Sequence, residues 1–167
     1  MLKYIVNKDT INLCKQFALD SVESSLDEYS KRNQSNKELI IQQIFEGKVA
    51  EFAVYQYYKD RQLDCTLPDI SIYTKRKKSF SSDLQVGMYH IHVKSQNLSS
   101  QRRYGKSWLF QAKDPLFKKA TEYDICVFCT VDENVVTIEL KDQFVNLTFS
   151  EPKLDKLKGN KKAFYLD

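Results

Sequence analysis

Residues Phe80 to Gln96 carry the pattern that most restricts the fold: Leu84 and Val86 are apolar, Gly87-Met88 follows, and Tyr89, Ile91 and Val93 are apolar again. Alternation on both sides of a glycine is the period of a β-strand, so the spacing predicts a hairpin with one apolar face. Glycine at the first of two central positions suits a type II′ turn, which fixes the register. Val86 then faces Tyr89, Gln85 faces His90, Leu84 faces Ile91 and Asp83 faces His92. Side chains two apart share a face, which adds His90, Lys94 and Gln96 to the Asp83 and His92 pair. A carboxylate, imidazole, amine and amide are thereby gathered on one surface.

That grouping is what a divalent cation beside a phosphate requires. Asp83 offers a hard oxygen ligand, and Lys94 can stabilise developing charge or orient a water. An Asp, a short hairpin and a strand ending in hydrophobic-x-Lys resembles the PD-(D/E)xK nuclease superfamily, whose core motif is an Asp followed by (Asp or Glu)-x-Lys on the next strand. Here the second motif reads His92-Val93-Lys94, with histidine in the acidic position. Neutral imidazole is a weaker partner for magnesium than carboxylate and suits manganese or another transition metal better. Pro68-Asp69 lies too early to share the hairpin, so Asp83 is taken as the motif aspartate, and Asp69 as a strand-entry or outer-shell residue.

Upstream, Ser35 to Glu38 has the form of a capping box and should start a helix running to about Asp60. Ile40, Ile44, Gly47, Glu51, Tyr55 and Tyr58 fall on one stripe of it, and Glu51 is the stripe's only charge. A carboxylate turned toward a core is costly unless paired or bound to a metal. The bland role is a glutamate reaching water or a lysine at the stripe's edge. The nuclease resemblance implies a second one, because that superfamily commonly carries a helix glutamate that completes the metal site.

The resemblance spans roughly residues 36 to 131. It implies an α/β fold with a restriction-endonuclease-like core: N-terminal helices, then a mixed sheet of about four to five strands flanked by helices. It also implies Mg2+ or Mn2+ held by Asp83 and Glu51, with His92 as ligand or outer partner. Lys94 would activate or position the attacking water, and Gln96 would orient Lys94 or that water. The implied activity is metal-dependent hydrolysis of DNA, preferably duplex, by an enzyme of the restriction, homing or junction type acting as a homodimer. The alternative is an inactive nucleic-acid-binding module of the same fold, which the histidine in the motif suggests.

Other features bound the rest. At 167 residues and 42% hydrophobic the chain suits a single domain over 1–167. The net charge of +4 makes clustering of cations the informative quantity. Lys75, Arg76, Lys77 and Lys78 precede the hairpin, while Arg102, Arg103, Tyr104 and Lys106 follow it; both runs are candidates for phosphate contact, with Tyr104 stacking on a base. Residues 97–106 are expected to be a polar loop over the active face. Cys126 and Cys129 have C-x-x-C spacing but lie in an apolar run read as a buried central strand, where residues three apart point to opposite faces and do not chelate. A first helix over about Asp9 to Tyr29, strands at Ser107–Gln111 and Asn134–Leu140, an edge strand in Leu67–Tyr73 and a docking tail at Phe164–Leu166 complete the expectation. With no secretory or membrane-spanning pattern in the sequence, a cytoplasmic location is expected.

Overall fold

Alternation around Gly87 does form the hairpin. In the computed structural model, which describes residues 1–31, 36–73 and 82–167, β2 (Leu84–Val86) and β3 (Tyr89–Asn97) pair antiparallel. Leu84 faces Ile91, Gln85 faces His90 and Val86 faces Tyr89, as the turn chemistry requires. Gly87 has a φ of +57°, a left-handed value that favours glycine, whereas Met88 stays in the ordinary region. The basic run Lys75–Lys78 lies outside the described residues, as does Ser35.

Before the hairpin come β1 (Leu2–Ile5), α1 (Lys8–Lys31) and α2 (Lys37–Lys59). After it come α3 (Leu98–Tyr104), β4 (Ser107–Gln111), α4 (Leu116–Lys119), β5 (Asp124–Asp132), β6 (Val135–Gln143) and β7 (Lys161–Tyr165). Five strands form a mixed sheet in the order β1-β6-β5-β3-β2. Only β3 and β5 run parallel, which is why a long connection through α3, β4 and α4 separates them. The expected α/β class and strand number are therefore found. A separate two-stranded ribbon pairs β4 with β7, so the C-terminal tail docks as a strand.

β5 is the centre of the sheet and shows why a continuous apolar run was needed. Val127, Cys129 and Val131 belong to one core, together with Cys14 and Ala18 of α1 and Val49, Ala50, Ala53 and Val54 of α2. Cys126 and Phe128 belong to another, with Trp108 and Phe110 of β4, Phe144, and Phe164 of β7. The two cysteines thus lie on opposite faces, both fully buried, as the period of a strand dictates. Trp108 is a core residue whose indole N–H donates to the Cys129 carbonyl at 3.0 Å.

Three local expectations give way to the structure. Asn36, not Ser35, caps α2: its side chain accepts the Leu39 N–H at 3.1 Å. Residues 97–106 are not a loop. Asn97 accepts the Ser100 N–H at 2.7 Å and Gly105, at φ +76°, ends the turn, so the polar stretch between them coils into α3. Leu67–Tyr73 contains no strand, because Asp69 folds the chain locally by accepting the Ser71 N–H at 2.8 Å. No helix among the described residues is long and apolar enough to cross a membrane.

Candidate functional site

The hairpin is asymmetric. β2 has three residues and β3 has nine, so past Ile91 no described strand lies on the β2 side of β3. Asp83 stands where the pairing stops. Its N–H still donates to the Ile91 carbonyl at 3.0 Å, but the next ladder position is filled by its side chain, Oδ2 accepting the Val93 N–H at 2.7 Å. A carboxylate is thereby fixed against the edge of the strand that carries Lys94.

Glu51 comes to the same place from the other side. α2 packs across β3, and the glutamate side chain is 13% exposed. Burial pushes its carboxyl up to about 8; the charge of Asp83 adds to the rise and Lys48 opposes it. Lys48 was not a candidate in the sequence, yet its ammonium donates to Glu51 Oε2 at 2.6 Å and to the Asp69 carbonyl at 2.7 Å. It also lies over the Phe17 ring at 4.7 Å. The lysine joins α2 to the Asp69 loop and supplies the positive charge that a buried glutamate needs. Burial would raise the Asp69 carboxyl, but bonds from the Tyr73 hydroxyl and from Ser71 outweigh it and hold the group below its ordinary value.

Lys94 projects to the aromatic side of the sheet, its ammonium 4.6 Å from the centre of the Phe110 ring. The fully buried Cys126 thiol senses what surrounds it. Burial raises its pKa to about 12, Lys94 pulls the other way, and Asp114, Asp83 and Asp124 push further up. Asp83 therefore acts electrostatically on both groups, on Glu51 beside the helices and on the thiol beside Lys94. Asp114 and Asp124 are the other acidic groups near that thiol, and sequence reasoning assigned neither a chemical role.

His92 has a partner of its own. Nε2 meets Asp124 Oδ1 at 2.8 Å, both side chains about 14% exposed. Burial would raise the Asp124 carboxyl, but the Thr121 N–H and His92 outweigh it and keep the group below its ordinary value. This pairing follows from the parallel register, in which His92 stands opposite Cys126 and Asp124 lies two residues earlier on the same face. His90 is exposed. Gln96 is buried and its amide is committed elsewhere, donating to the Gly105 carbonyl at 3.0 Å and accepting the Ser107 N–H at 3.1 Å. These bonds fasten the start of β4 and do not reach Lys94.

The downstream cations divide as well. Arg102, Arg103 and Tyr104 are exposed on α3, with the Arg103 guanidinium 5.2 Å from the Tyr104 ring centre. Lys106 is instead paired with Glu139 at 2.8 Å. Thr130 and Gln101 also donate to that glutamate, so this cluster anchors α3 to the sheet.

Among the described residues no three His, Cys, Asp or Glu side chains gather as a metal cage. What the structure offers is a pair, Asp83 and Glu51, close enough for one charge to raise the other's pKa. Such a pair suits a hard cation that keeps several waters, as magnesium does with one or two carboxylates. Compared with protein-family models, curated proteins and solved structures, the chain matches none.

Proposed function

We propose that the protein is a metal-dependent endodeoxyribonuclease whose site is Asp83, Glu51 and Lys94. The observation that carries this reading is the position of Asp83. It ends the paired part of the hairpin, acts on Glu51 across the α2 interface, and shares the surroundings of Cys126 with Lys94. Asp83 and Glu51 would hold Mg2+ or Mn2+, which would supply a hydroxide at neutral pH and neutralise charge on the phosphate. Lys94 would orient the water and stabilise the added charge as the phosphodiester is attacked. His92, held through Nε2 by Asp124, would serve as an outer partner that fixes the face on which Lys94 stands. Lys48, which donates to Glu51 Oε2, opposes the effect of burial on that carboxyl. The expected substrate is duplex DNA, with two copies of the chain for two strands.

One observation favours a second reading. The imidazole in the acidic motif position is paired with Asp124, which suits a binding module of this kind that no longer cuts.

Cleavage of supercoiled plasmid and of a branched duplex in magnesium, manganese or EDTA separates the two. The nuclease reading expects metal-dependent cutting that Asp83→Ala and Lys94→Ala each lower by at least about 100-fold, the scale of removing one charge-stabilising group. Salt-sensitive binding with no cutting in either metal, on genomic DNA as well as plasmid, would establish the binding module instead.

A further inference from the structure

A cleft of about 1200 Å³ opens directly past Lys94. Its floor includes Ser95, Gln96 and Asn97 of β3, and its walls come from α3, the end of β4 and the segment leading into β7. Among the described residues Arg103, Lys113, Lys153, Lys156 and Lys161 line it, against one carboxylate, that of Glu46. Glu46 is 9% exposed and accepts bonds from Gln42 and Asn97, so it is bound into the floor. The surplus of cations in this one cleft equals the +4 net charge of the entire chain. Two aromatic rings alternate with these cations: Tyr104, 42% exposed, beside Arg103, and Tyr165 with Lys153 4.6 Å from its centre.

We propose that this cleft binds single-stranded nucleic acid, its lysines and arginine tracking phosphates while Tyr104 stacks on a base. A positive groove interrupted by aromatic rings is how strands without a partner are held, because every base has a π-face and every phosphate a charge. The cleft is larger than a site for one small ligand, roughly 300–1000 Å³. Aromatic rings among the cations favour a single strand, whose bases are free to stack on them, over a duplex, whose bases are already stacked on one another. The floor continues β3 beyond Lys94, so a strand lying in it passes the candidate site. The cleft deepens the nuclease reading by giving it a substrate class, duplex DNA bearing a single-stranded arm. It rests on that reading only for what happens to the strand, not for its binding.

The test is fluorescence anisotropy of the full chain in EDTA with labelled oligothymidylate, labelled oligouridylate and a blunt hairpin duplex across a salt series. Oligothymidylate should bind more tightly than the duplex. Lys113→Gln combined with Lys156→Gln, both exposed positions, should weaken it roughly tenfold and reduce the slope of log affinity on log salt by about 1.4, or ~0.7 for each lost phosphate contact. Tyr104→Ala should weaken it about 5-fold or more. Tighter binding of oligouridylate would support the cleft and identify its strand as RNA. Affinity unaltered by the paired lysine substitutions, or tighter binding of the duplex, would overturn the proposal. Cutting with unaltered groove-variant binding removes the cleft and keeps the nuclease; groove binding without cutting does the reverse.

Discussion

The two faces of the central sheet are built on different plans. Toward α1 and α2, β5 presents Val127, Cys129 and Val131 to a core in which Cys14, Ala18, Val49, Ala50 and Ala53, small or β-branched, sit with the larger Phe45 and Tyr58. Toward the β4–β7 ribbon, Phe128 stacks on Phe164 with ring centres 4.5 Å apart and lies 5.0 Å from Trp108. α2 packs on β3 from the first side and carries Glu51 and Lys48 there. Lys94 lies on the second side, against the Phe110 ring. The difference teaches that the candidate site draws on both layers: a helix supplies Glu51 and Lys48, and the strand face turned to the rings supplies Lys94, with Asp83 at the end of the hairpin between them.

If that contrast is right, the faces should fail in opposite ways. Phe128→Ala removes a ring that several others touch and should cost about 3–5 kcal/mol, the usual range for a buried Phe, read as a lowered midpoint in urea. On the helical face the damaging change is enlargement. Ala53→Leu should cost roughly 1–3 kcal/mol through overpacking, measured in the same way. Equal tolerance of a larger residue on both faces would remove the contrast.

Glu51 tests the boundary between them. Its carboxyl ordinarily titrates near 4.5 and stands at about 8 in the fold, so between those values the folded state binds more protons than the unfolded one. Stability from this group is therefore lost as pH rises from about 4.5 to about 8, and Glu51→Gln escapes that loss. The variant's melting advantage should be slight near the lower value and largest above the upper one, by a few degrees at roughly 2–4 °C per kcal/mol. Magnesium should act oppositely, raising the wild-type midpoint more at the alkaline end because binding requires the ionised carboxyl. A flat difference across pH would show that Glu51 is not buried as described. The smallest effect is expected at Asn36→Ala, which uncaps α2 at a cost of about 1 kcal/mol. It should lower the thermal midpoint while leaving the pH dependence of Glu51 in place.

Much of the site's local geometry was legible in the residues. The register of Asp83 against β3 follows from Gly87 and the alternation around it, and the opposite facing of Cys126 and Cys129 follows from the period of two. The short helix α3 also had its signals, an Asn cap at Asn97 and a glycine at Gly105, which the polar composition between them obscured. The shortness of β1, four residues, left too little pattern to mark it as a strand.

What the sequence by itself determined were the elements and the faces of their side chains, because both depend on neighbours within a few residues. The ion pair of Lys48 with Glu51 could be drawn from helical spacing, but not its burial or its bond to Asp69. Only the tertiary structure decided that His92 would meet Asp124, that Lys106 would be taken by Glu139, and that cations from four separate segments would line one cleft. Those partners are separated by tens of residues, and their meeting depends on which strands pair and how closely each layer packs. No local preference encodes that.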